Sequence, residues 1–188
     1  MAIAKIRNVS ISSNLFAAMA VEEDEQAISQ LYLHTAVWLK ESGSTQWSGL
    51  LQGLDHHNMA AAIRRREVFA FRHSTSQELV GSVILQQQPS EWDRNLWGDD
   101  TTDRESAVYL HRLVVNRNYA GHGIGSQIMT WVEHELAGHF ASIKLDCVAF
   151  STKLNHFYRQ HGYEYRGEKN GYSKYQKWLT PSSTEEQG

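Results

Sequence analysis

The chain has 188 residues, of which 41% are hydrophobic and 21% charged, and its formal net charge is −3. This composition is typical of a soluble globular protein with a buried core, and the length fits one domain. We therefore expect a single domain over residues 1–188, with an ordered core from about residue 8 to about residue 179. The weak negative charge, without any block of like charges, disfavours a nucleic-acid partner.

Membrane insertion, disulfide bonds and metal binding also lack support in the sequence. No run of about 18 apolar residues is present, and the first residues lack the pattern of an export signal, so we expect a cytoplasmic protein without a membrane segment. The single cysteine, Cys147, lies between Asp146 and Val148 in an apolar stretch, which indicates a buried thiol in a reducing compartment. The histidines lack the spacing of zinc ligands, so we expect no metal.

The first half of the chain is predicted to contain two helices and two strands. Apolar side chains recur with the helical period over residues 24–43, which predicts the first helix. The repeating positions are Ile28, Leu31, Tyr32, Thr35, Trp38 and Leu39. A second helix is predicted over residues 55–67. Strands follow at residues 68–72 and 79–85, and the polar residues between them indicate a hairpin turn.

Residues 89–105 show no periodicity and carry mostly acidic charges, together with Trp92 and Trp97. They predict a long acidic loop without regular structure. Such loops are uncommon inside compact domains and often have a function. The tryptophans could pack on the core beneath a solvated loop, or they could lie at a ligand site.

The second half alternates strands and helices. The predicted elements are a strand at 107–115, a helix at 125–140, a strand at 142–150, a helix at 152–161 and strands near 163–166 and 174–178. The last two strands are expected to form a hairpin around Asn170-Gly171. The alternation implies at least one parallel strand pair with a helical crossover, and hence an α/β (α+β) fold. Residues 1–7 and 180–188 are expected to be poorly ordered tails.

A glycine-rich turn joins the strand that ends at Val115 to the next helix. Gly121, Gly123 and Gly125 leave main-chain N–H groups open to a ligand, and the helix adds the positive end of its dipole. The turn could hold a phosphate or pyrophosphate, although a tight connection without a ligand could use the same glycines. A P-loop would need a lysine within Ile124-Gly125-Ser126, and a dinucleotide-binding turn would follow the first strand, so both nucleotide sites are disfavoured.

The turn and its surroundings resemble the GNAT superfamily of N-acetyltransferases. The resemblance rests on residues 113–125, which read LVVNRNYAGHGIG, and on the helix behind them. It extends to Leu145-Asp146-Cys147-Val148 and to residues 155–163, which read NHFYRQHGY, so that it covers about residues 107–165. It implies a GNAT-like fold, in which about four helices flank a mixed, mostly antiparallel central sheet of about 6–7 strands with a splayed parallel pair.

The resemblance also implies an acetyl-CoA site within this N-acetyltransferase domain. In such folds the strand with Leu113, Val114 and Val115 pairs with the pantetheine arm. The expected pyrophosphate cradle consists of Ala120, Gly121, His122, Gly123, Ile124, Gly125 and Ser126. Asn155 and Tyr158 correspond to residues that approach the cofactor arm and its sulfur. The family usually has Arg or Gln in place of Ala120, so this chain lacks one polar side chain near the pyrophosphate while its main-chain cradle is retained.

Acetyl transfer to an amine needs an acid that protonates the leaving thiolate and a base that deprotonates the amine. The resemblance implies Tyr158 as the general acid, because it follows Phe157 as in the closing motif of the family. A phenol carries its proton at neutral pH, with a reference pKa of about 10. The alternative is that Tyr158 only packs a helix face beside Leu154.

The base is predicted on the strand that leads into the turn. Tyr109, His111 and Leu113 alternate along one face, and only an imidazole ordinarily titrates near neutrality. The strand looks like the corresponding strand of arylalkylamine N-acetyltransferases, which implies His111 as a candidate general base. The alternatives are that His111 is a hydrogen-bonded core or cleft residue and that water chains lead to an acidic residue such as Glu91 or Asp93.

The acceptor is expected to be a primary amine on a small molecule, since acidic residues and aromatic rings suit a cationic amine. The candidate substrate residues are Trp38, Trp47, Trp92, Trp97 and Tyr109. Amino acid derivatives and protein N-termini also fit. A non-catalytic acyl-CoA-binding or sensing module is the alternative function, and the protein could be a monomer or a homodimer.

Overall fold

The computed structural model describes residues 3, 6, 9–55, 57–98 and 106–180. Within these residues the chain forms eight strands and five α-helices. In chain order they are β1 (Val9–Ser12), β2 (Leu15–Met19), α1 (Glu25–Glu41), α2 (Met59–Arg64), β3 (Val68–His73), β4 (Leu79–Gln86), α3 (Glu91–Trp97), β5 (Ala107–Val115), α4 (Ile124–Leu136), β6 (Ser142–Val148), α5 (Thr152–Gln160), β7 (Glu164–Lys169) and β8 (Tyr172–Trp178).

The strands form one mixed sheet in the order β1-β2-β3-β4-β5-β6-β8-β7. Neighbouring strands from β1 to β4 are antiparallel, as are the pairs β6–β8 and β7–β8, and the sheet also contains a parallel pair. The predicted mixed sheet is confirmed, with eight strands instead of six or seven. The predicted hairpin is confirmed as well, because Asn170 (φ 54°) and Gly171 (φ 80°) form the two-residue connection between β7 and β8.

The two additional strands, β1 and β2, form an N-terminal hairpin that the sequence does not predict. β1 has only four residues, alternately half-buried and exposed, and β2 contains two alanines, which have a weak preference for strands. β2 is held by pairing with β3, from Leu15 opposite His73 to Met19 opposite Phe69. The predicted tails lie largely outside the described residues, but Ile3 is described and fully buried.

The chain divides into two compact units. The first comprises Ile3–Gln86 and Leu110–Gln127, and the second comprises Gln87–Tyr109 and Ile128–Gly188, described as far as residue 180. β5 contributes Ala107–Tyr109 to the second unit and the rest of its length to the first. The single domain and the splayed parallel pair stay predictions.

The core of the first unit lies where α1 and α2 pack on the sheet. α1 contributes Ile28, Leu31 and Tyr32, which lie one helical turn or one residue apart on one face. The other buried members are Ala20, Met59, Ala62, Ile63, Val68, Ala70, Ile84 and Val114. Trp47 packs against this cluster and is partly buried. The core therefore fixes α1 and the segment after it against β5, the strand that carries His111.

The helix predicted over residues 55–67 is shorter in the structure, because its first residues are used as caps. Asp55 Oδ2 accepts a hydrogen bond from the Met59 N–H at 2.6 Å, and Asn58 Oδ1 accepts one from the Ala61 N–H at 3.1 Å. Asn58 has a left-handed backbone with φ 47°, which belongs to a cap rather than to a helix interior. These contacts hold Asp55 in place at the start of α2.

The prediction of a structureless acidic loop over residues 89–105 is wrong in its first part, where α3 forms. Ser90 is the N-cap, and its hydroxyl accepts a hydrogen bond from the Asp93 N–H at 3.1 Å. Asp93 Oδ2 in turn accepts the Ser90 N–H at 2.8 Å, which completes a capping box. The acidic side chains interact favourably with the helix N-terminus. Residues 99–105 lie outside the described residues.

The capping box gives a testable contribution to stability. We expect Ser90→Ala to lower the free energy of unfolding by about 1 kcal/mol, because the first turn of α3 loses its side-chain acceptor. Urea denaturation measures the change. Ser10→Ala is the control, because the Ser10 hydroxyl is exposed and donates to the nearby Ser12 carbonyl rather than capping a helix. Equal stability of the Ser90 and Ser10 variants would contradict the assignment.

Candidate functional site

The end of β5 is tied to β4 immediately before the glycine turn. The Asn116 N–H donates to the Val80 carbonyl at 2.7 Å, and the Asn116 side chain donates to the Leu79 carbonyl at 3.2 Å. Asn116 Oδ1 accepts the Asn118 N–H at 3.0 Å and so starts a short 3-10 turn. The Tyr119 hydroxyl then donates to Glu78 at 2.7 Å. The chain therefore enters the glycine turn from a fixed position.

The glycine turn is an open, exposed cradle at the start of α4. Gly121 and Gly123 have φ values of 83° and 70°, in the left-handed region that favours glycine. A Cβ added to either residue would meet no atom within 4 Å, so the space above the turn is free. The N–H groups of the first turn of a helix have no acceptor within that helix. Together the turn and α4, which spans 13 residues, can hold an anion such as a pyrophosphate.

Further residues of the predicted cofactor site lie next to these glycines along the chain and on β5. Ala120 is exposed and extended (φ −63°, ψ 139°), and its methyl group offers no polar contact. Exposure decreases along the rest of the cradle: His122 is exposed, whereas Ile124, Gly125 and Ser126 are half-buried. On β5, Val114 is buried in the core while Leu113 and Val115 are half-buried. Their contacts with a cofactor stay a prediction.

His111 lies buried in the first unit, 5% exposed, beside a second histidine that the sequence analysis did not single out. The rings of His111 and His57 are 4.4 Å apart between centroids and tilted by 31°. Glu67, the residue before β3, is also buried, and its Oε2 accepts a hydrogen bond from Arg65 Nε at 2.9 Å. Burial raises the pKa of Glu67, whereas Arg65 and His111 lower it, so Glu67 and His111 interact electrostatically.

Arg112 was also missed, because in a regular strand its side chain would point away from that of His111. Its φ of 53° is left-handed, and its side chain is only 6% exposed. The guanidinium lies 5.3 Å from the centroid of the Tyr32 ring and 5.6 Å from that of the Trp47 ring. Arg112 Nη2 is 3.4 Å from Asp55 Oδ1. The only signal in the sequence is an arginine inside an apolar strand.

The second unit contains Tyr158 and Asn155, both on α5 and both buried. The Asn155 side chain donates to the carbonyl groups of Ser151 at 2.8 Å and Ala149 at 3.2 Å, and it accepts the Tyr175 hydroxyl at 2.8 Å. These bonds hold α5 against β6 and β8. Asn155 therefore helps to position α5, the helix that carries Tyr158.

Tyr158 is 6% exposed and packs among other aromatic rings, with Tyr175 at 5.9 Å and Tyr163 at 6.0 Å between centroids. Burial raises the pKa of Tyr158, and the nearby Cys147 and Asp146 raise it further. The phenol therefore keeps its proton throughout the neutral range. The predicted burial of Cys147 is confirmed, and burial followed by the charge of Asp146 raises the pKa of this thiol to about 12.

The candidate substrate residues occupy different environments. Trp38 is 36% exposed, and the guanidinium of Arg117 lies 3.8 Å from its ring centroid. Trp47 is partly buried beside Arg112, as described above. Trp92 Nε1 donates to Asp146 at 3.1 Å, whereas Trp97 is 4% exposed and packs with Leu96 and Tyr109 in a hydrophobic cluster of the second unit. Of the five, Trp38 and Trp47 belong to the first unit together with His111.

Two further findings concern the described residues alone. No group of three or more His, Cys, Asp or Glu side chains among them is arranged to hold a metal ion. None of the described helices has the length and apolar character needed to cross a bilayer.

The sequence and fold of the chain are similar to those of known acetyltransferases. The Acetyltransferase (GNAT) family model matches residues 20–163. The uncharacterized N-acetyltransferase YesJ of Bacillus subtilis (strain 168) is 44% identical over 180 residues, which cover 94% of this chain and 97% of YesJ. Among solved structures, a GNAT family acetyltransferase from Listeria monocytogenes 4b F2365 has a TM-score of 0.77 and 36% identity, covering 92% of this chain and 100% of that protein.

A more distant structure shares the fold. The PaiA N-acetyltransferase from Thermoplasma acidophilum, solved in complex with coenzyme A, has a TM-score of 0.65 at 12% identity. The similarity covers 87% of this chain and 98% of that protein.

Proposed function

Because this chain belongs to the Acetyltransferase (GNAT) family, we propose that it transfers the acetyl group of acetyl-CoA to a primary amine on a small molecule. The observation that carries the proposal is the open cradle of Gly121 and Gly123 at the start of α4, which suits the pyrophosphate of coenzyme A. The coenzyme A complex of the PaiA structure supports the same cofactor. The half-buried backbone at Leu113 and Val115 would pair with the pantetheine arm.

The reaction needs one attack and two proton transfers. The amine nitrogen attacks the thioester carbonyl carbon, the C–N bond forms and the C–S bond breaks. The amine loses a proton to the base, and the departing thiolate takes one from the acid, which yields an amide and coenzyme A. Tyr158 is the proposed acid, because its phenol carries a proton at neutral pH and can donate it to the departing thiolate.

His111 is the proposed base. It is buried on β5, and it interacts electrostatically with Glu67, which is also buried. Asn155 is a positioning residue in this proposal, since its amide bonds hold α5 and thereby the Tyr158 ring. We further propose that the protein acts in the cytoplasm, since its one cysteine is a free buried thiol. We also propose that it is a monomer or a homodimer.

The alternative, a sensor that binds acyl-CoA without turnover, is favoured only by Ala120. A broad panel of primary amines assayed with acetyl-CoA for thiol release, together with calorimetry, separates the two functions. We expect acceptor-dependent release of coenzyme A. Tight binding of acetyl-CoA without release in the presence of any amine would establish the sensor instead.

The cradle itself gives a prediction on cofactor binding. We expect Gly123→Val to raise the Kd for acetyl-CoA about tenfold or more, because a β-branched residue at φ 70° strains the turn and fills the space of the ligand. Isothermal titration calorimetry measures the affinity. Gly43→Val is the matched control, because Gly43 has φ 80° and open space around it but lies after α1. The control should lose stability and retain its affinity, and an unchanged Kd in the Gly123 variant would refute the cradle.

A further inference from the structure

The side chains of His111 and Arg112 extend to the same segment of the chain, although they are consecutive in a strand. The His111 ring lies against His57, and Arg112 pairs with Asp55, two residues earlier. Successive side chains in a regular strand point to opposite faces. The left-handed backbone of Arg112 (φ 53°) accounts for the exception, since such an irregularity redirects a side chain. The proposed base thus has a guanidinium as its immediate neighbour.

This guanidinium is buried without a full set of partners. Its side chain is only 6% exposed, and Nη1 has no hydrogen-bond partner among the described residues. The ion pair from Nη2 to Asp55 Oδ1 is long at 3.4 Å. Asp55 is already occupied by the N–H groups of Met59 at 2.6 Å and His57 at 3.3 Å. An arginine has five N–H donors and is costly to bury unpaired, so a better anionic partner is missing.

We propose that Arg112 binds a carboxylate of the acceptor, which makes the acceptor an amino acid or another small amine that bears a carboxylate. The inference rests on the proposed function. A guanidinium binds a carboxylate through two parallel hydrogen bonds, and the Tyr32 and Trp47 rings already hold its plane. Asp55, 37% exposed, contacts the guanidinium only at 3.4 Å, and the acceptor replaces this contact while Asp55 keeps its hydrogen bond to the Met59 N–H.

The neighbouring positions of Arg112 and His111 limit the size of the acceptor. When the carboxylate is held by Arg112, the amine of the same molecule must reach the imidazole of the adjacent residue. A small molecule whose amine and carboxylate are a few bonds apart satisfies both contacts. Arg112 is therefore a specificity-determining residue, and the acceptor is expected to be zwitterionic rather than simply cationic.

The wild-type enzyme provides the first test. Coenzyme A release is measured for matched acceptors, namely amino acids, their amides, their decarboxylated amines and amines that bear a phosphate. We expect kcat/KM to be about 30-fold or more higher for the carboxylates. Equal or faster turnover of the amides and decarboxylated amines would overturn this inference and leave the proposed function intact. Preference for the phosphate would overturn the carboxylate assignment, and no release with any amine would overturn both.

Variants supply the second test. Arg112→Lys keeps the charge but loses the planar fork, and we expect it to raise KM about 30-fold for the carboxylate acceptor and less than threefold for its amide. A merely structural role would change both acceptors equally and would overturn the inference. Arg166→Gln, on the exposed strand β7, is the control and should change neither.

If the Arg112 variant does not fold, the KM of an Asp55→Asn variant for carboxylate acceptors provides the test. Loss of the competing charge should lower KM for carboxylate acceptors about threefold, since the guanidinium is then free to pair with the ligand. An unchanged or higher KM would overturn the exchange of Asp55 for the acceptor.

Discussion

Replacing Tyr158 with phenylalanine is expected to lower kcat about 100- to 1,000-fold, because the leaving thiolate then lacks its proton donor. The affinity for acetyl-CoA should stay within about threefold, since the ring and its packing against Tyr163 and Tyr175 are retained. Steady-state kinetics and calorimetry measure the two quantities. A large fall in kcat with a nearly unchanged affinity for acetyl-CoA distinguishes a general acid from a residue that only packs.

The pH dependence adds a second readout for Tyr158. Burial raises its pKa, so the acid stays protonated where an exposed phenol, near pH 10, would begin to lose its proton. The kcat of the wild-type enzyme should therefore not decline between about pH 8 and about pH 10 through this group. Tyr165→Phe, at a 48% exposed position on β7, is the control and should behave as wild type. Unchanged turnover in the Tyr158 variant would remove this tyrosine from the mechanism.

The second half of the fold could be predicted from the sequence because each element has a strong local signal. β5 is a largely apolar run, interrupted by His111 and Arg112, whose bounds, Ala107–Val115, agree with the prediction. The Asn170-Gly171 hairpin follows from residues that accept positive φ. α3 was missed because Ser90 and Asp93 are loop-forming residues on average and act as a capping box only when placed before a helix. β1 was missed because its stability comes from pairing with β2 rather than from its own four residues.

The candidate site was predicted only in part, for a physical reason that concerns β5. Strict alternation was assumed for Tyr109, His111 and Leu113, whereas the left-handed backbone of Arg112 breaks it. A sequence does not reveal where such an irregularity lies. Asp55 and His57, which come together with Arg112 and His111, are more than fifty residues away along the chain and have no local signal of their own. The glycine turn was predictable because its conformation depends on residue type alone.

The environment of His111 also bears on the choice of base. Asp93, an alternative at the end of a water chain, is 1% exposed and engaged in the cap of α3. Glu91 lies exposed in the first turn of the same helix. Glu67, by contrast, is buried within electrostatic reach of His111. We therefore keep His111 as the proposed base.

Replacing His111 with glutamine is expected to lower kcat/KM about 100-fold, because the amine then loses its proton only to solvent. The loss should be largest at neutral pH and smaller at alkaline pH, where the solvent already deprotonates the free amine. Initial rates at subsaturating acceptor across the pH range measure both effects. His134→Gln is the control, since the His134 side chain is 85% exposed and pairs with its neighbour Glu135 at the surface of α4. A His111 variant whose kcat/KM at neutral pH equals that of the wild-type enzyme would place the base elsewhere, and Glu67→Gln would then be the next variant to test.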